Sequence, residues 1–161
     1  AFATDPVYQF IAAYYQKMNK IEIGSPVPAF TLPDISGKQV SLDAFKGKYV
    51  LIDFWYHNCV FCRKMTPSLV KIYADLKEKG LEIVSISIDG KADEQEWRKA
   101  IAEDGAVWTE LWDKDKTLPE PYGLAGYPHL FLLDREGKLQ QEIIGYEDEF
   151  SLRKTLGNYI Y

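Results

Sequence analysis

Residues 49–88 constrain the fold most. Tyr49-Val50-Leu51-Ile52-Asp53-Phe54-Trp55 is apolar almost throughout, as expected of a strand covered on both faces. Beyond Cys62 the pattern becomes helical. Met65, Leu69, Ile72 and Leu76 fall on one side of this helix, and Lys64, Lys71 and Lys77 on its polar face. Gly80 ends the helix, and residues 81–88 read as a second strand. A strand, a helix and a strand joined by short links imply a right-handed parallel unit.

The flanks extend this α/β unit. Asp5-Pro6 reads as a helix start, and Val7, Phe10, Ile11, Tyr14 and Met18 give an amphipathic helix to about Asn19. Residues 1–23 are thus expected to be a helical extension, joined through the linker-like Gly24-Ser25-Pro26-Val27-Pro28 to a domain at 24–161. A small hairpin is expected from 29–33 and 39–42, and a helix over 93–103 with Asp93 and Glu96 as its capping box. Residues 130–133 and 139–144 form a second hairpin around the turn at 134–138, and Glu147, Asp148 and Glu149 open a last helix. The expected architecture is a mixed sheet with helices on both sides.

The only cysteines, Cys59 and Cys62, stand where the first strand meets its helix. Unpaired amide N–H groups and the helix dipole stabilise a thiolate there. A dithiol in that place can exchange its disulfide with another molecule.

Composition narrows the alternatives. With 161 residues, 47% of them apolar, the chain fits one domain with a sizeable core and is not disordered. Its formal charge of −5 gives no basic footprint for nucleic acid. No apolar stretch approaches the roughly 20 residues that span a bilayer. A start at Ala1 is read as a trimmed chain, with an export signal, anchor or upstream domain beyond it.

The combination of Val50-Leu51-Ile52-Asp53-Phe54-Trp55, the CxxC pair, Pro67 and Gly126-Tyr127-Pro128 resembles the thioredoxin superfamily, closest to its TlpA/ResA-like branch. The resemblance covers about residues 24–160, including the insert with Trp108-Thr109-Glu110-Leu111-Trp112-Asp113; the opening at 24–30 also resembles related peroxiredoxins. It implies a thioredoxin-like fold and thiol:disulfide exchange, more as a reductase of protein disulfides. Cys59 is then the exposed nucleophile and Cys62 the resolving thiol. Asp53 is the buried acid that takes or gives the Cys62 proton, Pro128 a cis-proline, Tyr127 a partner for substrate backbone, and Trp55 a packing neighbour of the site. It also implies protein disulfide or dithiol partners, an upstream thiol electron donor, no cofactor beyond the Cys59–Cys62 disulfide, and a place outside the cytoplasm, such as a bacterial periplasm.

Several residues depart from that pattern. Asn58 replaces the usual Trp and is a favourable N-cap. Val60 and Phe61 lack the common proline and are expected to shield the thiols. Met65 stands where some ResA-like members carry glutamate, which argues against a specialised role in cytochrome c maturation. Arg63 is read as either solvated or a help to the thiolate. His57 and His129 fall near the site; with the two thiols they make a weak zinc set, and a protonated His57 would favour the Cys59 thiolate. Two other functions compete. A peroxidase needs a threonine three residues before its reactive cysteine, but Tyr56 precedes Cys59 and Cys59 precedes Cys62. A non-catalytic binding module would use the disulfide only as a staple.

Overall fold

The computed structural model describes Pro6, Val7, Phe10 and residues 20–160. The helix expected at 7–19 therefore lies largely outside the described residues. The elements are β1 (Thr31–Pro33), β2 (Gln39–Ser41), β3 (Tyr49–Trp55), α1 (Val60–Leu76), β4 (Leu81–Ser87), α2 (Glu94–Asp104), β5 (Thr109–Trp112), β6 (His129–Leu133), β7 (Leu139–Ile144) and α3 (Glu149–Gly157). A five-stranded sheet runs in the order β5-β4-β3-β6-β7, and β1 and β2 form a separate hairpin. Strands β3, β4 and β5 are parallel neighbours, whereas β6 is antiparallel to both β3 and β7. This is the thioredoxin-like mixed sheet that the sequence implied.

Alternation along β3 sorts its side chains onto two faces. Val50, Ile52 and Phe54 join Val84, Ile86, Leu111 and Phe131 in one core. That core is closed by Phe30 and Leu32 of the hairpin region and by Leu118 and Tyr122 of the 113–128 connection. Leu51 and Trp55 point the other way, where α1, α2 and α3 contribute Met65, Leu69, Trp97, Ala100, Leu152 and Leu156. Among the described residues, then, the three helices pack on one face, not on both. The 113–128 segment covers the other because Asp113, buried at the end of β5, fastens it there. Its carboxylate accepts bonds from Thr117 N, Thr117 Oγ1 and Leu118 N, each at 2.9 Å.

Local signals mostly held, with three corrections. Gly80 ends the α1 region with φ 98°, and a Cβ there would meet the Arg135 guanidinium at 2.9 Å. Asp148 caps α3 by accepting Ser151 N at 2.8 Å. The Asp93–Glu96 capping box does not form: a 3₁₀ turn leads into α2, and Asp93 makes no side-chain cap bond. Residues 24–28 are no loose linker, since Gly24 N and Ser25 O bond Leu139 at 2.7 and 2.9 Å. Strand β5 was not expected; four residues interrupted by a glutamate give little periodic signal.

Candidate active site

The site sits at the C-terminal end of β3. A turn at 56–59, closed by Cys59 N donating to Tyr56 O at 3.0 Å, delivers the chain to α1. Cys59, not Asn58, is the N-cap of that helix, and its Sγ accepts the Cys62 N–H at 3.3 Å. A cap residue needs extended backbone and an acceptor facing the first turn, and Cys59 supplies both (φ −74°, ψ 101°). Cys59 and Cys62 form a disulfide, with Cα atoms 5.3 Å apart. On reduction the N–H aimed at Cys59 Sγ favours its thiolate.

Exposure does not separate the two sulfurs as expected. Both cysteines are 4% exposed, packed with Trp55, Trp97, Ala100 and Trp112. What distinguishes Cys59 is its cap position. Val60 and Phe61 do not shield the pair; they are 73% and 56% exposed and form an apolar rim, with Phe61 6.2 Å from the Tyr146 ring. Trp55 is buried beneath the disulfide rather than presented to solvent.

Tyr127 and Pro128 lie beside it, joined by a cis peptide. The Tyr127 ring meets Tyr56 edge-on at 5.4 Å and packs against the tryptophan–cysteine cluster. Burial pushes the Tyr127 phenol upward, aided by the Asp113 charge.

Asp53 lies two residues below Trp55 on the same face. Ser85 Oγ donates to its Oδ2 at 3.2 Å, while Oδ1 is buried without a partner. Burial outweighs that one bond and pushes its carboxyl up to about 7. Such a group can hold or release a proton near neutral pH, as the buried-acid role requires. It lines a cavity of about 10 Å³, the room for one water centre, with Trp55, Thr66, Ser85, Asp104, Trp108 and Glu110 among the other walls. Thr66 Oγ1 donates to Cys62 O at 3.2 Å, so this cavity lies one helical turn from Cys62. A roomier cavity of about 310 Å³ lies at the opposite end of β3, by Val50 and Leu133, remote from the sulfurs.

The histidines have partners that the sequence did not show. Asp89 Oδ1 lies 2.6 Å from His57 Nδ1, Asp89 Oδ2 accepts His57 N at 2.9 Å, and Ser87 Oγ supports the carboxylate at 2.7 Å. His129 is fully buried, 2.6 Å from Glu142 Oε1. Burial lowers its pKa despite Glu142, so the neutral ring donates from Nε2. Arg63, with its side chain 32% exposed, is turned to α2 and not to the sulfurs. It grips Asp104 through Nε and Nη2, at 2.8–3.1 Å, and Glu103 at 2.8 Å, tying α1 to α2. Among the described residues no group of three or more His, Cys, Asp or Glu is placed to hold a metal ion. Two features of the sequence pointed to the missed residues: serines alternating through apolar β4 into Asp89, and a glutamate between Trp108 and Trp112.

A disulfide at a helix start, a buried acid beneath it and a cis-proline beside it define the thioredoxin-fold dithiol proteins as a class. The AhpC/TSA family model matches residues 23–142, and the chain belongs to that family. It is 34% identical to the thiol-disulfide oxidoreductase ResA of Bacillus cereus, over 89% of this chain and 82% of that protein. It is 40% identical to the thioredoxin domain of a thiol-disulfide oxidoreductase from Bacteroides vulgatus, with a TM-score of 0.78 over 88% of this chain and 100% of the other. A thiol:disulfide interchange protein from Bacteroides sp. is also 40% identical, with a TM-score of 0.76 over 87% and 91% of the two chains. No helix among the described residues is long and apolar enough to cross a membrane.

Proposed function

We propose that this thiol-disulfide oxidoreductase reduces disulfides of protein partners outside the cytoplasm. The observation that carries the reading is the Cys59 cap: the sulfur that accepts the Cys62 N–H is the one whose thiolate the helix start favours. In the reduced protein the Cys59 thiolate attacks a substrate disulfide R–S–S–R′, forming a Cys59–S–S–R bond and releasing R′S⁻. Cys62 then gives its proton to Asp53, attacks Cys59 Sγ and releases RS⁻. The two leaving thiolates take up protons, so one substrate disulfide becomes two thiols as the protein dithiol becomes a disulfide. An upstream dithiol regenerates the protein by the reverse exchange. Tyr127 and the cis peptide at Pro128 offer backbone to the bound substrate beside the sulfurs, and Trp55 supports the disulfide from below. The reading outside the cytoplasm rests on the likeness to the TlpA/ResA branch.

Insulin reduction driven by a dithiol tests this. Cys59→Ser is expected to fall to background and Cys62→Ser to accumulate mixed disulfides; undiminished turnover in Cys59→Ser overturns the reading. A peroxidase is disfavoured because Tyr56 and Cys59 occupy the positions where such an enzyme needs threonine.

A further inference from the structure

The mechanism above leaves a buried carboxylate unused. Asp53 pairs with Ser85 across β3–β4, and Ser85 with Glu110 across β4–β5. The three residues therefore form one row over adjacent parallel strands, on the face that carries the site; neighbouring strands lie about 4.8 Å apart. Ser85 Oγ, in the middle, donates to Asp53 and accepts from Trp108 Nε1 at 2.8 Å. Its single O–H is thus spent on Asp53 and cannot also donate to a Glu110 carboxylate. Asp53 Oδ1 and Glu110 Oε2 are both buried without a partner, and both residues line the one-water cavity. Two orphaned acid oxygens on a cavity of that size meet the requirements of a bound water, which needs two to four polar partners.

We propose that Glu110 is a positioning residue for the redox reaction: through one water in this cavity it shares the proton that Asp53 takes from Cys62. The inference rests on the exchange reading given above. Asp53 is only 5% exposed, so a proton received from Cys62 needs a way out before the next turnover. Glu110 hands it on through the water, and Asp104, which lines the same cavity with its side chain 14% exposed, is the outlet. No electrons move in this step; one proton leaves Cys62 Sγ and one reaches solvent.

The charged groups around the cavity fit that role. From α1 comes Arg63, engaged by Asp104 and Glu103; α2 brings Asp104 and β3 brings Asp53. Burial raises the Glu110 carboxyl well above its ordinary value, the Asp53 charge raises it further, and Asp104 adds to this. The Trp55 indole, near but outside hydrogen-bond geometry, opposes them. The Asp53 charge reaches Glu110 across this cavity, and two carboxyls coupled in that way titrate as a pair, with macroscopic values belonging to both.

The test is stopped-flow oxidation of the reduced full chain by oxidised glutathione between pH 5 and 9, resolving mixed-disulfide formation from its resolution. Glu110→Gln is expected to leave the first step within about twofold and to slow resolution about three- to tenfold. It should also turn a two-step pH profile of resolution into a single step. Asp53→Asn should slow resolution more, and adding Glu110→Gln to it should change nothing further. An unchanged profile in Glu110→Gln, or slowing that multiplies with that of Asp53→Asn, overturns the proposal. A measurement on the unaltered protein stands even if the variants fold poorly: carboxyl ¹³C titration should show Asp53 and Glu110 sharing two steps, and a Glu110 that titrates alone in the ordinary carboxylate range overturns it. Activity in Cys59→Ser would defeat the exchange reading itself; a dead Cys59→Ser with a silent Glu110→Gln defeats only this inference.

Discussion

The two faces of the central sheet come from alternate residues of the same strands, yet they do different work. One presents Ile52, Phe54, Val84, Ile86 and Leu111 across β3, β4 and β5, a continuous apolar surface. At the same height the other presents Asp53, Ser85 and Glu110, two buried acids and the hydroxyl between them. Burying a carboxylate without full hydrogen bonding is costly. The first face stores stability, and the second gives some up by burying two carboxyls under the sulfurs. Nor is the first face wholly apolar. Toward β7 it carries His129 with Glu142, but there the neutral imidazole donates to its partner.

The largest change is expected on the apolar face. Phe54→Ala removes a ring set edge-on to Tyr122 at 5.0 Å and Phe131 at 5.9 Å; the cost should be about 3–5 kcal/mol, read from chemical denaturation. Asp53→Asn should do the opposite. The folded carboxyl titrates at about 7 against 3.8, so between those values the unfolded chain has released a proton that the folded chain keeps, and stability declines as pH rises. Asn removes that decline, and the gain at pH 8 is bounded by about 4 kcal/mol while disulfide resolution slows. If Asp53→Asn destabilises the protein at pH 8, the contrast between the faces is wrong.

His129 sharpens the comparison from the acid side. Its folded pKa lies below its ordinary value, so stability is present above the unfolded pKa of about 6.5 and is lost as pH falls below it. His129→Gln should flatten the acid limb of a melting-temperature profile and leave the alkaline limb alone. Smallest in stability is Phe61→Ala, at an exposed position: a change within about 0.5 kcal/mol is expected. If the rim meets protein substrates, this variant should raise KM for insulin while leaving reaction with glutathione unchanged.

Much of the site was legible before any fold was known. The CxxC pair was legible from its place between strand and helix, and Asp53 and Tyr127-Pro128 through the family resemblance; the structure brings them to one end of β3. Asn58 misled because it is a good cap by type, while the turn at 56–59 placed Cys59 at the cap instead. Arg63 misled because its partners, Glu103 and Asp104, are 40 and 41 residues away.

By itself the sequence determined the local units: the β3–α1–β4 order, the chemistry at the start of α1 and the stop at Gly80. Periodicity, capping and glycine geometry act over a few residues and can be read one window at a time. Tertiary structure alone decided what depends on register between distant strands. That includes the row from Asp53 through Ser85 to Glu110, the clasp of Asp89 on His57 and the packing of α1, α2 and α3 on one face. A one-residue slip in β5 would send Glu110 to the opposite face. Only the assembled sheet fixes which acids share a cavity, because burial and pairing belong to the fold and not to the residue.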